Sequence, residues 1–235
     1  MDRPEDLAGA SRGMKVVILA GGKGSRLGAL ARGLPKPMIM VGGRPYLEYV
    51  IESFTDRGFH DFVLLVGHHA DVIESHFRYG RGDVRFEYSR EKQLLGTGGA
   101  VREARHLLGG RFILTYGDVL RRFDYDRFVD EHPDNCLAVY PRMTSGNTSV
   151  VHGVVTLFDK EATDLPYVDA GFSVVRTETI DLLPPYGPCS FEQIVYGTLA
   201  QRRELEAEIV DQTFFDIGTP EELARTRAAF EGEGA

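Results

Sequence analysis

Three apolar runs constrain most what this chain can fold into. Lys15-Val-Val-Ile-Leu-Ala20, Phe62-Val-Leu-Leu-Val-Gly67 and Arg111-Phe-Ile-Leu-Thr-Tyr-Gly117 are short, rich in branched aliphatic residues, and either closed or followed by glycine. They do not alternate with polar residues, so each predicts a strand buried on both faces, as in a parallel sheet. Val84 to Tyr88 alternates as a further strand, and Leu137 to Pro141 reads as a fifth. Between the runs the spacing turns helical. Tyr46, Leu47, Val50, Ile51 and Phe54 recur on one face of a helix over 45–57, and 71–78 and 99–108 read as helices too. Strands alternating with helices predict a parallel sheet covered on both sides.

The pattern then changes. Residues 150–158 predict a hairpin turning at His152-Gly153, and 167–175 a returning strand. A helix is expected over 190–200, starting at Ser190 with Glu192 soon after, and a short strand over 213–218. Thr219 then caps a last helix with Pro220 in its first turn. A chain of 235 residues is long enough for one large α/β core. The expectation is one domain over 14–230, with flexible tails at 1–13 and 231–235.

Charge and composition narrow the partners. A net charge of −8 speaks against a general nucleic-acid binder, which needs a broad basic surface. No apolar run approaches the ~20 residues of a membrane span. The opening MDRPEDLAGASRG lacks the apolar middle of a signal peptide. A cytoplasmic protein without membrane partners is expected. Cys136 and Cys189 form no metal-spaced motif and read as free thiols.

Chemistry first shows in Leu19-Ala-Gly-Gly-Lys-Gly-Ser-Arg26, followed by Leu34-Pro-Lys-Pro-Met38. Gly21, Gly22 and Gly24 follow a strand, and Arg26, Arg32 and Lys36 come close behind. Glycines remove the Cβ atoms that would bar phosphate, exposed N–H groups point at the anion, and the cations stabilise it. The P-loop pattern does not occur, and the dinucleotide fingerprint fails at Leu27. That disfavours a dehydrogenase.

Three later stretches complete the set: Leu95-Gly-Thr-Gly-Gly-Ala100, Thr115-Tyr-Gly-Asp118 and Phe215-Asp-Ile-Gly-Thr-Pro220. In this order the four motifs resemble the nucleotidyltransferases that activate sugar 1-phosphates, and lie nearest the heptose 1-phosphate guanylyltransferase branch. The resemblance implies a Rossmann-like three-layer α/β/α sandwich with a mixed, mostly parallel sheet, in which the hairpin is a small sugar-binding insertion. It implies nucleotide contacts from Leu19, Ala20, Gly21, Gly22, Gly24, Ser25 and Arg26, and from Gly96, Thr97 and Gly98. Glu91 falls where the family reads the base, and a carboxylate there suits the N–H groups of guanine. Arg26 and Lys36 become the cations on the phosphates, and Asp118 and Asp216 the ligands of Mg²⁺. For the sugar phosphate it points to Lys160, where Asp159-Lys160 replaces the family's Glu-Lys, with Asn147, Asp169 and Gly171 beside it. The substrates would be an NTP, GTP foremost, and a sugar 1-phosphate. Alternatives are the same chemistry on a cyclitol, alditol or phosphonate acceptor with CTP or another NTP, or a non-catalytic sugar-nucleotide-binding regulator. The missing metal ligand or cation that a regulator would show is not seen. Oligomeric state is open, with a homodimer one option because relatives often pair.

Overall fold

The computed structural model describes residues 13–22, 27–28, 33–78, 82–210 and 214–232. In chain order its strands are β1 (Lys15–Leu19), β2 (Met40–Val41), β3 (Arg44–Pro45), β4 (Asp61–Val66), β5 (Arg85–Arg90), β6 (Arg111–Tyr116), β7 (Val119–Arg121), β8 (Cys136–Pro141), β9 (Thr148–Val151), β10 (Val154–Phe158), β11 (Tyr167–Arg176), β12 (Glu206–Ile209) and β13 (Phe214–Asp216). Its α-helices are α1 (Tyr46–Thr55), α2 (Ala70–Phe77), α3 (Gly96–Glu103), α4 (Tyr125–Glu131), α5 (Gly197–Arg202) and α6 (Pro220–Gly232).

Nine strands form the central sheet in the order β5-β4-β1-β6-β11-β8-β12-β10-β9. The pairs from β5 through β6 are parallel, as is β12 with β8. β11 runs antiparallel to both β6 and β8, and β10 to both β12 and β9. The expected hairpin is β9–β10. His152 and Gly153 both have positive φ, 51° and 75°, as a type I′ turn demands.

The uninterrupted apolar runs are explained by the two faces of this sheet. Val16, Ile18, Phe62 and Leu64 pack on one side with α1, α2 and α4. Val17, Val63 and Leu65 pack on the other with α3 and α5. Burying such a side chain contributes roughly 1.5–3 kcal/mol, so a polar residue at any of these positions would be costly. The result is the three-layer α/β/α arrangement expected.

Two helices differ from expectation. The one expected over 99–108 starts at Gly96 and ends at Glu103, passing into a 3₁₀ turn over Ala104–Leu107. The one expected from Ser190 begins as a π-helical turn over Glu192–Tyr196, which runs into α5. Single π turns of this kind are rare and concentrate at functional sites.

Register fixes where a site can lie. Leu19 at the end of β1 is level with Leu65 of β4 and Tyr116 of β6. Gly21, Gly67 and Gly117-Asp118 therefore leave the sheet at the same carboxyl edge, where open α/β sheets bind ligands.

Candidate active site

A cleft opens at that edge. Ala20, Gly21 and Gly22 after β1, Gly96 and Thr97 of α3, and Lys36, Tyr116 and Asp118 contribute to its lining. The close approach of Gly21 to Gly67 helps shape it. A Cβ on Gly21 would sit 3.2 Å from Gly67 N, and one on Gly67 3.1 Å from Gly21 O.

Asp118 and Asp216 meet through the two-stranded ladder of β7 and β13. Asp216 pairs with Val119, and Ile217 N donates to Asp118 O at 3.2 Å. Tyr46 of α1 fastens this ladder from below. Its buried hydroxyl donates to Phe215 O at 2.6 Å and accepts from Leu120 N at 3.1 Å. Lys36, only 7% exposed, forms an ion pair with Asp118. A Cβ on Gly218 would lie 2.9 Å from Asp216 Oδ1, 2.9 Å from Glu222 Oε2 and 3.2 Å from Lys36 Nζ. One lysine and the carboxylates of Asp216 and Glu222 thus surround one glycine, with Asp118 held by the same lysine. Burial pushes the Asp216 carboxyl up; the charge of Asp118 adds to this and Lys36 opposes it.

On the nucleotide side, Glu91 is half-buried. Its Oε2 accepts from Leu95 N at 2.8 Å, while Oε1 lies 3.3 Å from the Cβ position of Gly21. Burial raises its pKa, and the Leu95 N–H works against that. One of the two oxygens expected to read a base is therefore already engaged by the backbone. Gly96 and Gly98 have a packing reason of their own. Gly96 has φ 69°, and a Cβ there would stand 2.5 Å from Cys189 O; a Cβ on Gly98 would stand 2.7 Å from Cys189 Sγ. Gly98 N donates to Cys189 O at 2.9 Å. Gly96 and Thr97 still line the cleft, whereas Gly98 is buried against the Cys189 segment. Gly24, Ser25 and Arg26 lie outside the described residues, as does Arg32.

The residues expected to hold the sugar phosphate also gather. Asn147 Oδ1 accepts from Asp169 N at 2.9 Å, and Asp169 Oδ1 from Gly171 N at 2.7 Å, where the pairing of β11 with β8 shifts register. Gly171 has φ 68°, and a Cβ there would stand 2.9 Å from the Tyr116 ring. Burial pushes the Asp169 carboxyl up to about 6, against the Gly171 N–H and the charges of Arg121 and Lys160. Lys160 is not a free cation. Its Nζ donates to Glu192 Oε2 at 3.0 Å and to Ser190 Oγ at 3.3 Å.

Glu192 was visible in the sequence only as a helix-start residue. It is 2% exposed and accepts hydrogen bonds from Thr97, Tyr116, Ser190 and Lys160. Burial alone would push its pKa up; the Ser190 and Tyr116 hydroxyls, the Lys160 charge and Thr97 together hold it below the ordinary value. It therefore ties Thr97 at the start of α3, Tyr116 at the end of β6 and Lys160 into one network. A carboxyl placed two residues after a serine, before an apolar helix, carries no signal for that role.

The motifs and their convergence match a known family. The family model described as nucleotidyl transferase aligns with residues 15–160, well over half of the chain. The chain belongs to the nucleotidyl transferase family. Among relatives, the D-glycero-alpha-D-manno-heptose 1-phosphate guanylyltransferase of Campylobacter jejuni is 26% identical over 89% of this chain and 96% of its own. The mannose-1-phosphate guanylyltransferase of Mycobacterium tuberculosis is 28% identical, over 93% of this chain and 65% of its own. The crystal structure of HddC from Yersinia pseudotuberculosis superposes with a TM-score of 0.80 at 26% identity, covering 92% of this chain and 99% of HddC; HddC is also known in complex with GMP-PN. Within this nucleotidyl transferase no described helix is long and apolar enough to cross a membrane.

Proposed function

We propose that the protein joins a nucleoside triphosphate, GTP foremost, to a sugar 1-phosphate, giving an NDP-sugar and pyrophosphate. An oxygen of the sugar phosphate attacks the α-phosphorus, the bond to the bridging oxygen breaks, and pyrophosphate leaves with that electron pair. The attacking oxygen is already ionised near pH 7, so no general base is required. The observation that carries the reading is the meeting of Asp118, Asp216 and Lys36 beside the glycine-lined cleft.

The donor set suits Mg²⁺. Asp118 and Asp216 offer carboxylate oxygens alone, with Glu222 beside Asp216, and such oxygen sets suit a hard cation. Asp118 and Asp216 would hold the ion, which when bound supplies positive charge to offset repulsion between the two phosphates. Lys36 places a second positive charge against the phosphate chain as charge shifts to the leaving pyrophosphate. Arg26 is assigned the same task from its motif. Gly21 and Gly22 let the nucleotide lie close against the backbone. Lys160, steered by Glu192, faces the acceptor phosphate, and Asn147, Asp169 and Gly171 shape the space for the sugar.

Guanine is favoured by the unengaged Glu91 Oε1 and by the guanylyltransferases among the relatives. A heptose or hexose 1-phosphate is the acceptor of choice on the same grounds. A cytoplasmic location fits these substrates. The test is pyrophosphate release with each of the four NTPs against glucose, mannose and heptose 1-phosphates. Release that requires both a sugar 1-phosphate and a divalent ion, and is fastest with GTP, is the expected result. No release with any pair would refute the reaction; a preference for another NTP would refute the base assignment alone.

A further inference from the structure

Arg121 ends β7 two positions beyond the residue paired with Asp216, and the reaction proposed above makes no use of it. It is 7% exposed, yet its Nε and Nη1 have no hydrogen-bond partner among the described residues. An arginine cannot shed its charge, and a buried donor left unfilled is costly. Aromatic neighbours do not explain it. Phe214 lies 4.7 Å from the guanidinium carbon and Tyr140 5.8 Å. Cation–π contacts satisfy the flat face of the group. The N–H bonds lie in its plane and need acceptors there.

The neighbourhood places the Nη2 edge of the guanidinium beside the acceptor end of the cleft. Nη2 is 3.6 Å from the Cβ position of Gly171, whose other neighbour is the cleft-lining Tyr116. Asp169, two residues before Gly171, accepts a hydrogen bond among the described residues only at Oδ1, from Gly171 N. Asp169 and Asp216 both act electrostatically on the guanidinium. Burial still outweighs these charges and lowers its pKa, and its Nε and Nη1 lack oxygen lone pairs in their plane. A hydroxyl offers both a lone pair for Arg121 and a proton for Asp169.

We propose that Arg121 is a specificity-determining residue for the acceptor, donating its unfilled N–H groups to hydroxyl oxygens of a neutral sugar 1-phosphate while Asp169 accepts from the same hydroxyls. This rests on the sugar-phosphate reaction above. A deeply placed carboxylate on the acceptor is the competing ligand, and the local acidic groups disfavour it.

The test uses wild type, Arg121→Met and Arg121→Lys, with glucose and mannose 1-phosphates, their monodeoxy analogues, and glucuronic acid 1-phosphate. Arg121→Met keeps the volume and removes the donors. It should raise the KM for the preferred sugar 1-phosphate about tenfold or more, as loss of a charged hydrogen bond implies, while the KM for NTP and the melting temperature stay near wild type. One monodeoxy analogue should be penalised by wild type and no longer discriminated by the variant. Arg121→Lys keeps the charge and much of the packing; it should show the same acceptor-only defect, more weakly, and it decides the question if the methionine variant does not fold. Unchanged acceptor KM in the variants, with turnover intact in wild type, would overturn this inference and leave the reaction standing. An Arg121-dependent preference for glucuronic acid 1-phosphate would likewise overturn it. Absence of turnover by wild type with every sugar 1-phosphate would overturn both.

Discussion

Asp118 and Asp216 are ordinary acidic residues until the fold brings them together; burial and the Asp118 charge then raise the Asp216 carboxyl, and Lys36, paired with Asp118, opposes that rise. Asp118→Asn keeps the shape and removes a full charge from this centre. The expected outcome is a loss of kcat on the order of a thousandfold, as for removal of a group that stabilises developing charge, with a melting temperature close to wild type; steady-state pyrophosphate release and thermal denaturation check it. Asp169 makes a prediction about pH. Its carboxyl is raised from 3.8 to about 6, chiefly by burial. The folded state therefore binds this proton more tightly than the unfolded state does. The stability so gained is full below the unfolded value and is lost as pH rises through about 6. Asp169→Asn never bears the charge. Its stability relative to wild type should therefore improve between pH 4.5 and pH 7, read from melting curves of both proteins across that interval; a constant or reversed difference would contradict the assignment.

At the scale of elements, the ladder of β7 and β13 is what turns two distant motifs into one site. Tyr46 joins the two strands through one hydroxyl. Tyr46→Phe leaves the buried Leu120 N–H without its partner, at a cost of about 1–3 kcal/mol, or roughly 3–10 °C in a chain of this size. It should also lower kcat more than it changes the KM for NTP, because β13 carries Asp216 and not the nucleotide loop. Differential scanning calorimetry and kinetics on the variant measure both. The elements differ in how far the sequence announced them. β1, β4 and β6 were legible because burial on both faces leaves an unbroken apolar run, and the β9–β10 turn because Gly153 marks it. The start of α3 was not, since Gly96 to Gly99 have poor helix propensity and read as a turn; packing against the Cys189 segment overrides that preference. The four motifs named Lys36, Asp118 and Asp216 because their chemistry is tied to short local patterns. Tyr46 and Glu192 were missed because a helical stripe and a helix-start acid look the same whether or not they lie beside the cleft. Only the tertiary pairing of β7 with β13 and of Tyr116 with Glu192 separates the cases.

At the scale of the molecule, the parallel half of the sheet supplies the glycine edge, and the mixed half brings Asn147, Asp169 and Lys160 to its flank. A nucleotide bound between them stabilises the folded chain by mass action, by about 2.7 kcal/mol at a hundred times its dissociation constant. GTP with Mg²⁺ should therefore raise the melting temperature more than ATP, CTP or UTP at equal concentration; equal shifts for all four would remove the case for guanine. The two carboxylates must serve as one catalytic centre, and the most direct test is sugar-phosphate-dependent pyrophosphate release by wild type and Asp216→Asn under saturating NTP and Mg²⁺. Robust release by wild type and a loss on the order of a thousandfold in a variant that melts normally are expected. A normally folded Asp216→Asn protein that turns over at the wild-type rate would contradict that role.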